Sequence, residues 1–120
     1  MHELSLAMSI VQTATELARQ EGAARVENVT VRIGHLSCVH EEALRQAFML
    51  TREKTPLAES SLSVIPVPVR IWCPTCHTER ELPSMQQFVC PICATPSGDI
   101  RAGQELEIES ISIDDITLKD

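Results

Sequence analysis

Two short motifs, C-P-T-C at Cys73–Cys76 and C-P-I-C at Cys90–Cys93, constrain this chain more than any other feature. Thirteen residues separate them. Each Cys-Pro-x-Cys knuckle curls so that its two thiolates converge, and two knuckles supply four sulfurs at the corners of a tetrahedron. That is the ligand set and spacing of a structural Zn²⁺ site. The proline inside each knuckle pre-sets a turn φ and lowers the ordering cost. Four protein ligands close such a site and leave no open position for chemistry, so the metal explains how one lobe folds and the function lies elsewhere.

Iron in a four-thiolate site shares these knuckles, and ligand softness alone does not separate the two metals. Only Trp72 and Phe88 lie nearby in the sequence to shield a redox centre. Disulfides are not expected, because five cysteines leave one over and no secretory signal opens the chain. Residues 1–20 carry Glu3 and Glu16 and no basic stretch ahead of an apolar one. No apolar run approaches membrane-spanning length, so no membrane role is expected.

At 120 residues the chain reads as one small domain carrying a metal-held lobe. Hydrophobic residues make up 43%, but there is no Tyr, one Trp and two Phe, so the core must be aliphatic. Such small cores are marginal, and a zinc staple secures the weakest part. The net charge is −7. Between Arg70 and Cys93, Arg70 and Arg80 are offset by Glu79 and Glu81. With no basic stripe to meet phosphates, nucleic-acid binding is not expected.

The pattern predicts a first helix over residues 4–21. Leu4, Ala7, Met8, Val11, Ala14 and Ala18 form its buried face, widened by Leu6, Ile10 and Leu17. Gly22 is placed to terminate it, and Arg19 suits the last turn. Val29, Val31 and Ile33 alternate with Thr30 and Arg32 as a half-buried strand ended by Gly34. Ser37 is the expected cap of a second helix over Glu41–Arg52, with Leu44, Ala47 and Phe48 facing inward and Leu50 beside them. Leu62 and Val64 open a strand that continues through V-P-V-R-I toward Trp72; Pro66 and Pro68 lack amide donors and confine it to an edge.

Segment 73–93 interrupts the strand pattern. Leu106 and Ile108 then alternate, and Ile111 and Ile113 follow on the opposite parity, which predicts a bulge near Glu109 and Ser110. The expected fold is α+β: two helices on a small sheet of about three strands, with an inserted zinc-ribbon-like lobe. The boundaries read as 1–69 plus 99–120 for the helix-sheet part and 70–98 for the lobe. Asp114, Asp115 and Asp120 form an acidic tail expected to be solvated.

The start, Met1-His2-Glu3, is the second informative place. A His at position 2 offers a metal three donors in fused chelate rings: the Met1 amine, the His2 amide nitrogen once deprotonated, and His2 Nδ1. Such nitrogens suit Ni²⁺ or Cu²⁺. Read alone, terminal residues are usually frayed and without function. His35, Cys38 and His40 crowd into six residues and offer imidazole and thiolate for a second metal. The plainer account is a strand-to-helix turn, with His40 in the first helical turn and Cys38 a small buried filler. A Cys-His nucleophile would need a third residue to orient it, and none lies nearby.

Together, M-H-E-L-S-L, G-H-L-S-C-V-H-E-E-A-L-R-Q-A-F, C-x₂-C-x₁₃-C-x₂-C and G-Q-E-L-E-I resemble, in order and over nearly the whole chain, the HypA/HybF family. These are nickel metallochaperones of nickel-iron hydrogenase maturation. The resemblance implies that His2 is the side-chain nickel ligand. The Met1 amine and the amides of His2 and Glu3 complete the near shell, and Cys73, Cys76, Cys90 and Cys93 hold zinc. It also implies a cytoplasmic, non-enzymatic carrier, monomer or homodimer, whose partners are a nickel-handling maturation GTPase and the hydrogenase large-subunit precursor. Some relatives lend nickel a histidine placed after the last knuckle. This chain has Ser97-Gly98 there, and the histidine of its lobe is His77, so His77, water or a partner remain alternatives for closing the shell. The rival readings are a zinc-ribbon adaptor without nickel and a redox or iron-binding ribbon.

Overall fold

The computed structural model describes residues 3–83, 87–113 and 116–119. Met1, His2 and the aspartates of the acidic tail lie outside them. The elements run α1 (Glu3–Gln20), β1 (Asn28–Gly34), a 3₁₀ turn (His35–Ser37), α2 (Glu41–Thr51), β2 (Ser61–Val67), β3 (Arg70–Cys73), β4 (Thr78–Glu81), β5 (Ile100–Ala102), β6 (Leu106–Ile113) and β7 (Ile116–Lys119). No described helix is long and apolar enough to cross a membrane.

α1 ends as its sequence requires. Gly22 has φ +71°, a conformation that costs glycine nothing. Its N–H donates to the Arg19 carbonyl (3.0 Å) and the Ala23 N–H to the Ala18 carbonyl (2.9 Å), the two bonds of a Schellman stop. Ala7, Ile10, Val11, Ala14 and Ala18 are buried. Leu4 and Met8, expected on this face, are 53% and 57% exposed. The buried stripe is rotated toward Ile10, which turns positions 4 and 8 to its open edge. α2 buries Leu44, Ala47 and Phe48 as expected, whereas Leu50 is 69% exposed. The two helices pack on each other.

One sheet has the order β2-β1-β6-β7, four strands rather than about three. The additional strand, β7, pairs antiparallel with β6 from Ser110↔Lys119 to Ile113↔Ile116. β2 lies at the edge, the position expected for a strand that carries Pro66. The single long strand expected toward Trp72 is instead two, β2 and β3, broken at Pro68-Val69. Along β1, Val29, Val31 and Ile33 are buried. Along β6 burial changes phase between Ile108 and Ile111, at the place where a bulge is expected. Among the described residues the buried hydrophobic core is aliphatic apart from Phe48, Cys73 and Cys90.

The chain divides into two compact units, one formed by Met1–Arg32, Val39–Ile65 and Glu107–Asp120, the other by Ile33–Cys38 and Pro66–Leu106. The second is wider than the 70–98 insertion expected from sequence. Backbone bonds explain the difference: Gly34 N–H donates to the Glu105 carbonyl and Leu36 N–H to the Gly103 carbonyl, both at 2.8 Å. This unit holds a three-stranded sheet, β4-β3-β5, over a small core of Val69, Ile71 and Leu82 with Leu36, Phe88 and Ile100 packed against it. Segment 73–93 therefore does contain a strand. β4 reads T-E-R-E, without an apolar residue, and forms because the first knuckle folds it back on β3.

Within that unit the chain crosses itself at two glycines. A Cβ on Gly34 would overlap the Gly103 carbonyl and lie 2.6 Å from Gln104 N, all backbone that cannot swing aside. Gly34→Ala should destabilise this unit by about 2 kcal/mol or more, because the crossing backbones must separate. Gly98, whose Cβ would meet nothing within 4 Å, is the control, and Gly98→Ala should be near neutral. Denaturant unfolding followed by Trp72 fluorescence compares the two; equal midpoints would show that the crossing tolerates a side chain.

Candidate metal centre

The two knuckles build one centre from matching turns. Cys73 opens the first at the end of β3, where the His77 N–H returns to the Cys73 carbonyl at 2.8 Å. Cys90 opens the second, and the Ala94 N–H returns to the Cys90 carbonyl at 2.8 Å. His77 and Ala94, the residues after each second cysteine, both take left-handed φ values, 54° and 63°. The turns bring the Cys73 and Cys93 sulfurs to 3.5 Å and those of Cys76 and Cys90 to 3.9 Å, and all four lie within 4.8 Å of one another. A Zn²⁺ ion bound at about 2.3 Å by four sulfurs requires S···S edges of roughly 3.8 Å. The donor set and its spacing therefore fit zinc.

Cys73 and Cys90 are buried, and the polar groups around the sulfurs divide the thiols. The Cys93 amide, helped by that of Ile92, outweighs burial and holds the Cys90 thiol down at about 6. The Thr95 hydroxyl, 3.1 Å from Cys93 Sγ, lowers Cys93. Cys73 receives the Cys76 amide at 3.3 Å, which pulls it down, but burial and its neighbours Cys93 and Cys90 push harder and raise it to about 11. A bound cation favours the thiolate form of each ligand and would convert such a cluster to a full tetrathiolate. Arg80 faces the same cluster and was not singled out as a site residue from sequence. Its alternation with Glu79 and Glu81 along a four-residue strand is the signal that it points inward.

Of the residues read as nickel ligands, Glu3 is described and Met1 and His2 are not. Glu3 begins α1, and its Oε2 accepts the His40 N–H at 3.1 Å, a bond that holds the Glu3 carboxyl below its ordinary range. His40, not Ser37, caps α2: its Nδ1 accepts the Ala43 N–H at 3.1 Å. Ser37 instead closes the 3₁₀ turn by donating its hydroxyl to the Gly34 carbonyl (2.7 Å). Cys38 is exposed rather than a buried filler, because a φ of 60° turns it out of the chain's path. Among the described residues the four lobe cysteines are the group whose ligating atoms converge on one point, and His35, Cys38 and His40 are not part of it. His77 is exposed at its left-handed position.

The family model "Hydrogenase/urease nickel incorporation, metallochaperone, hypA" matches residues 1–113. The chain is similar to the hydrogenase maturation factor HypA of Chloroflexus aggregans, 44% identical over 111 residues, spanning 92% of this chain and 97% of that protein. It is 41% identical over 108 residues to HypA of Deinococcus radiodurans, covering 90% of this chain and 89% of the relative. Its fold resembles the solution structure of the nickel metallochaperone HypA from Helicobacter pylori, with a TM-score of 0.66 and 24% identity over 94% of this chain and 97% of that one.

Because a bound structural metal contributes its binding free energy to folding, Cys73→Ala or Cys90→Ala should abolish stoichiometric zinc retention and disorder residues 70–98. The helix-sheet unit keeps its own aliphatic core and should retain most of its helical signal. Elemental analysis, limited proteolysis around Gln86 and circular dichroism read the three effects. A Cys73→Ala chain that kept one equivalent of zinc and full protection would overturn the four-thiolate assignment.

Proposed function

The chain belongs to the HypA family of nickel metallochaperones for hydrogenase maturation, and on that premise we propose that it carries Ni²⁺ on Met1-His2-Glu3 while its four cysteines hold a structural zinc. The Met1 amine, the His2 amide nitrogen and His2 Nδ1 form the chelate, with the Glu3 amide completing the near shell. Consecutive nitrogen donors of this kind favour the tetragonal geometry of Ni²⁺. Nickel is cargo here: it must be held well enough to survive transit and surrendered on contact with the next protein. A terminal chelate with few donors serves that need, and a buried cage would not. The receivers are a nickel-handling maturation GTPase and the hydrogenase large-subunit precursor, met in the cytoplasm without catalysis by this chain. A zinc-only adaptor would use the lobe and have no need for His2.

The observation that carries this reading is the placement of Glu3. It is the first residue of α1, and its carboxylate is engaged by the His40 N–H. The side chain is thus occupied as an anchor while the chain ahead of it supplies nitrogens.

Binding requires an unprotonated amine, a neutral imidazole and a displaced amide proton. The amine titrates near ~8 and imidazole near ~6.5 in reference peptides, so nickel affinity should fall steeply as pH drops through that range. A short tag before Met1 turns the amine into a peptide nitrogen, and His2→Ala removes the ring. Each change should abolish tight nickel binding while zinc and helix content stay unchanged. Equilibrium titrations of tagged, His2→Ala and Cys38→Ala chains test this directly. Undiminished affinity in the tagged chain, or a loss confined to Cys38→Ala, would move the nickel site away from the terminus.

A further inference from the structure

The antiparallel register of β3 and β4 sorts their side chains onto two faces. Arg70↔Glu81 and Trp72↔Glu79 share one face, and Ile71↔Arg80 and Cys73↔Thr78 share the other. On the outer face Arg70 takes both glutamates, Glu79 at 3.3 Å and Glu81 at 3.8 Å. Arg80 therefore sits on the inner face with Ile71 and Cys73, both fully buried, away from the acids adjacent to it in sequence. Its Nε is buried and has no hydrogen-bond partner among the described residues. A buried guanidinium nitrogen left without an oxygen acceptor is costly unless another acceptor or charge meets it. On this face the negative groups are sulfurs, and the sulfurs of Cys76 and then Cys90 are the groups that stabilise the Arg80 charge.

We infer that Arg80 is the built-in counter-cation of the four-cysteine centre, donating guanidinium N–H groups to the Cys76 and Cys90 sulfurs so that the metal is held more tightly and those two thiolates are shielded from electrophiles. The inference rests on the zinc reading above. Four thiolates around a divalent ion leave a surplus of two negative charges, and one guanidinium halves it. Cys73 already has the Cys76 N–H at 3.3 Å, and Cys93 has the Thr95 hydroxyl at 3.1 Å. Arg80 adds a charged donor beside the Cys76 and Cys90 sulfurs, which lie 3.9 Å apart. Outer donors of this kind govern how readily a ligand leaves its metal.

The test uses the full zinc-loaded chain with Arg80→Ala and Arg80→Lys. Arg80→Ala should weaken zinc binding roughly 10- to 100-fold, the usual effect of losing an outer-shell partner, read as faster zinc transfer to a chromophoric chelator. Iodoacetamide labelling mapped by mass spectrometry should find Cys76 reacting faster in Arg80→Ala than in wild type, measured against the exposed Cys38 as internal reference, whereas Cys90 is buried. Arg80→Lys, which keeps the charge but not the planar fork, should recover part of both effects. If Arg80→Ala and wild type hold zinc equally and label Cys76 at the same rate relative to Cys38, the inference fails and the zinc reading stands. If Arg80→Ala is equally destabilised with and without zinc at unchanged affinity, Arg80 is a packing residue and the inference again fails. If the wild-type chain retains no zinc, the zinc reading falls and this inference with it.

Discussion

Four sulfurs held within 4.8 Å of one another are the arrangement on which the lobe depends. Without a cation that geometry is unfavourable, because thiolates repel and thiols at these distances crowd. The lobe has little burial to offset this, since its core is three buried residues, Val69, Ile71 and Leu82, with Leu36, Phe88 and Ile100 partly buried against them. It also carries a backbone cost: His77 and Ala94, neither of them glycine, adopt left-handed conformations that disfavour a side chain by on the order of 1 kcal/mol each. A structural zinc at this site would supply about 10 kcal/mol or more at neutral pH. The knuckle turns, the β3–β4 hairpin and the apposition of Val89 with Pro96 surround that cluster.

The same chemistry separates the two proposed metal sites. Four thiolates from two rigid knuckles form a complete tetrahedron, and an ion there exchanges only when a sulfur is protonated or displaced. Nitrogens at a chain terminus give a planar chelate with open faces, where an incoming ligand can attack before the outgoing one departs. Retention needs ligands fixed by many backbone bonds, as the knuckles are; transfer needs ligands that can leave one at a time. One small chain can hold both sites because the first relies on thiolate softness and the second on amide nitrogen, so each metal has a better home than the other's site.

The sequence was most legible where its period was long and its punctuation unambiguous. α1 with its Gly22 stop, the alternation of β1 and the spacing of the four cysteines are all visible in the letters. Leu4 and Met8 misled, because a three/four repeat defines a stripe but not the few tens of degrees by which its centre turns. Ser37 lost the cap to His40 because the 3₁₀ turn of His35–Ser37 consumed the hydroxyl first. β4 was illegible: T-E-R-E has no apolar residue, and its pairing is set by the turn before it. Arg80 was hidden for the same reason. Cancelling its charge against Glu79 and Glu81 in sequence overlooked that a strand sends neighbours to opposite faces, so the cation and the acids never share a surface.

The start of α2 shows how local caps reach across the fold. A capping box ordinarily pairs an N-cap side chain with a glutamate three positions later, each satisfying the other's amide. Here the N-cap His40 takes the Ala43 N–H, but position 43 is alanine and cannot reciprocate. Glu3, from the first residue of α1, accepts the His40 N–H instead. Drawing that partner from a distant element ties the beginning of one helix to the beginning of the other. The nickel chelate proposed above would thus take in Glu3, the residue whose carboxylate makes this tie, leaving its backbone nitrogen as the donor.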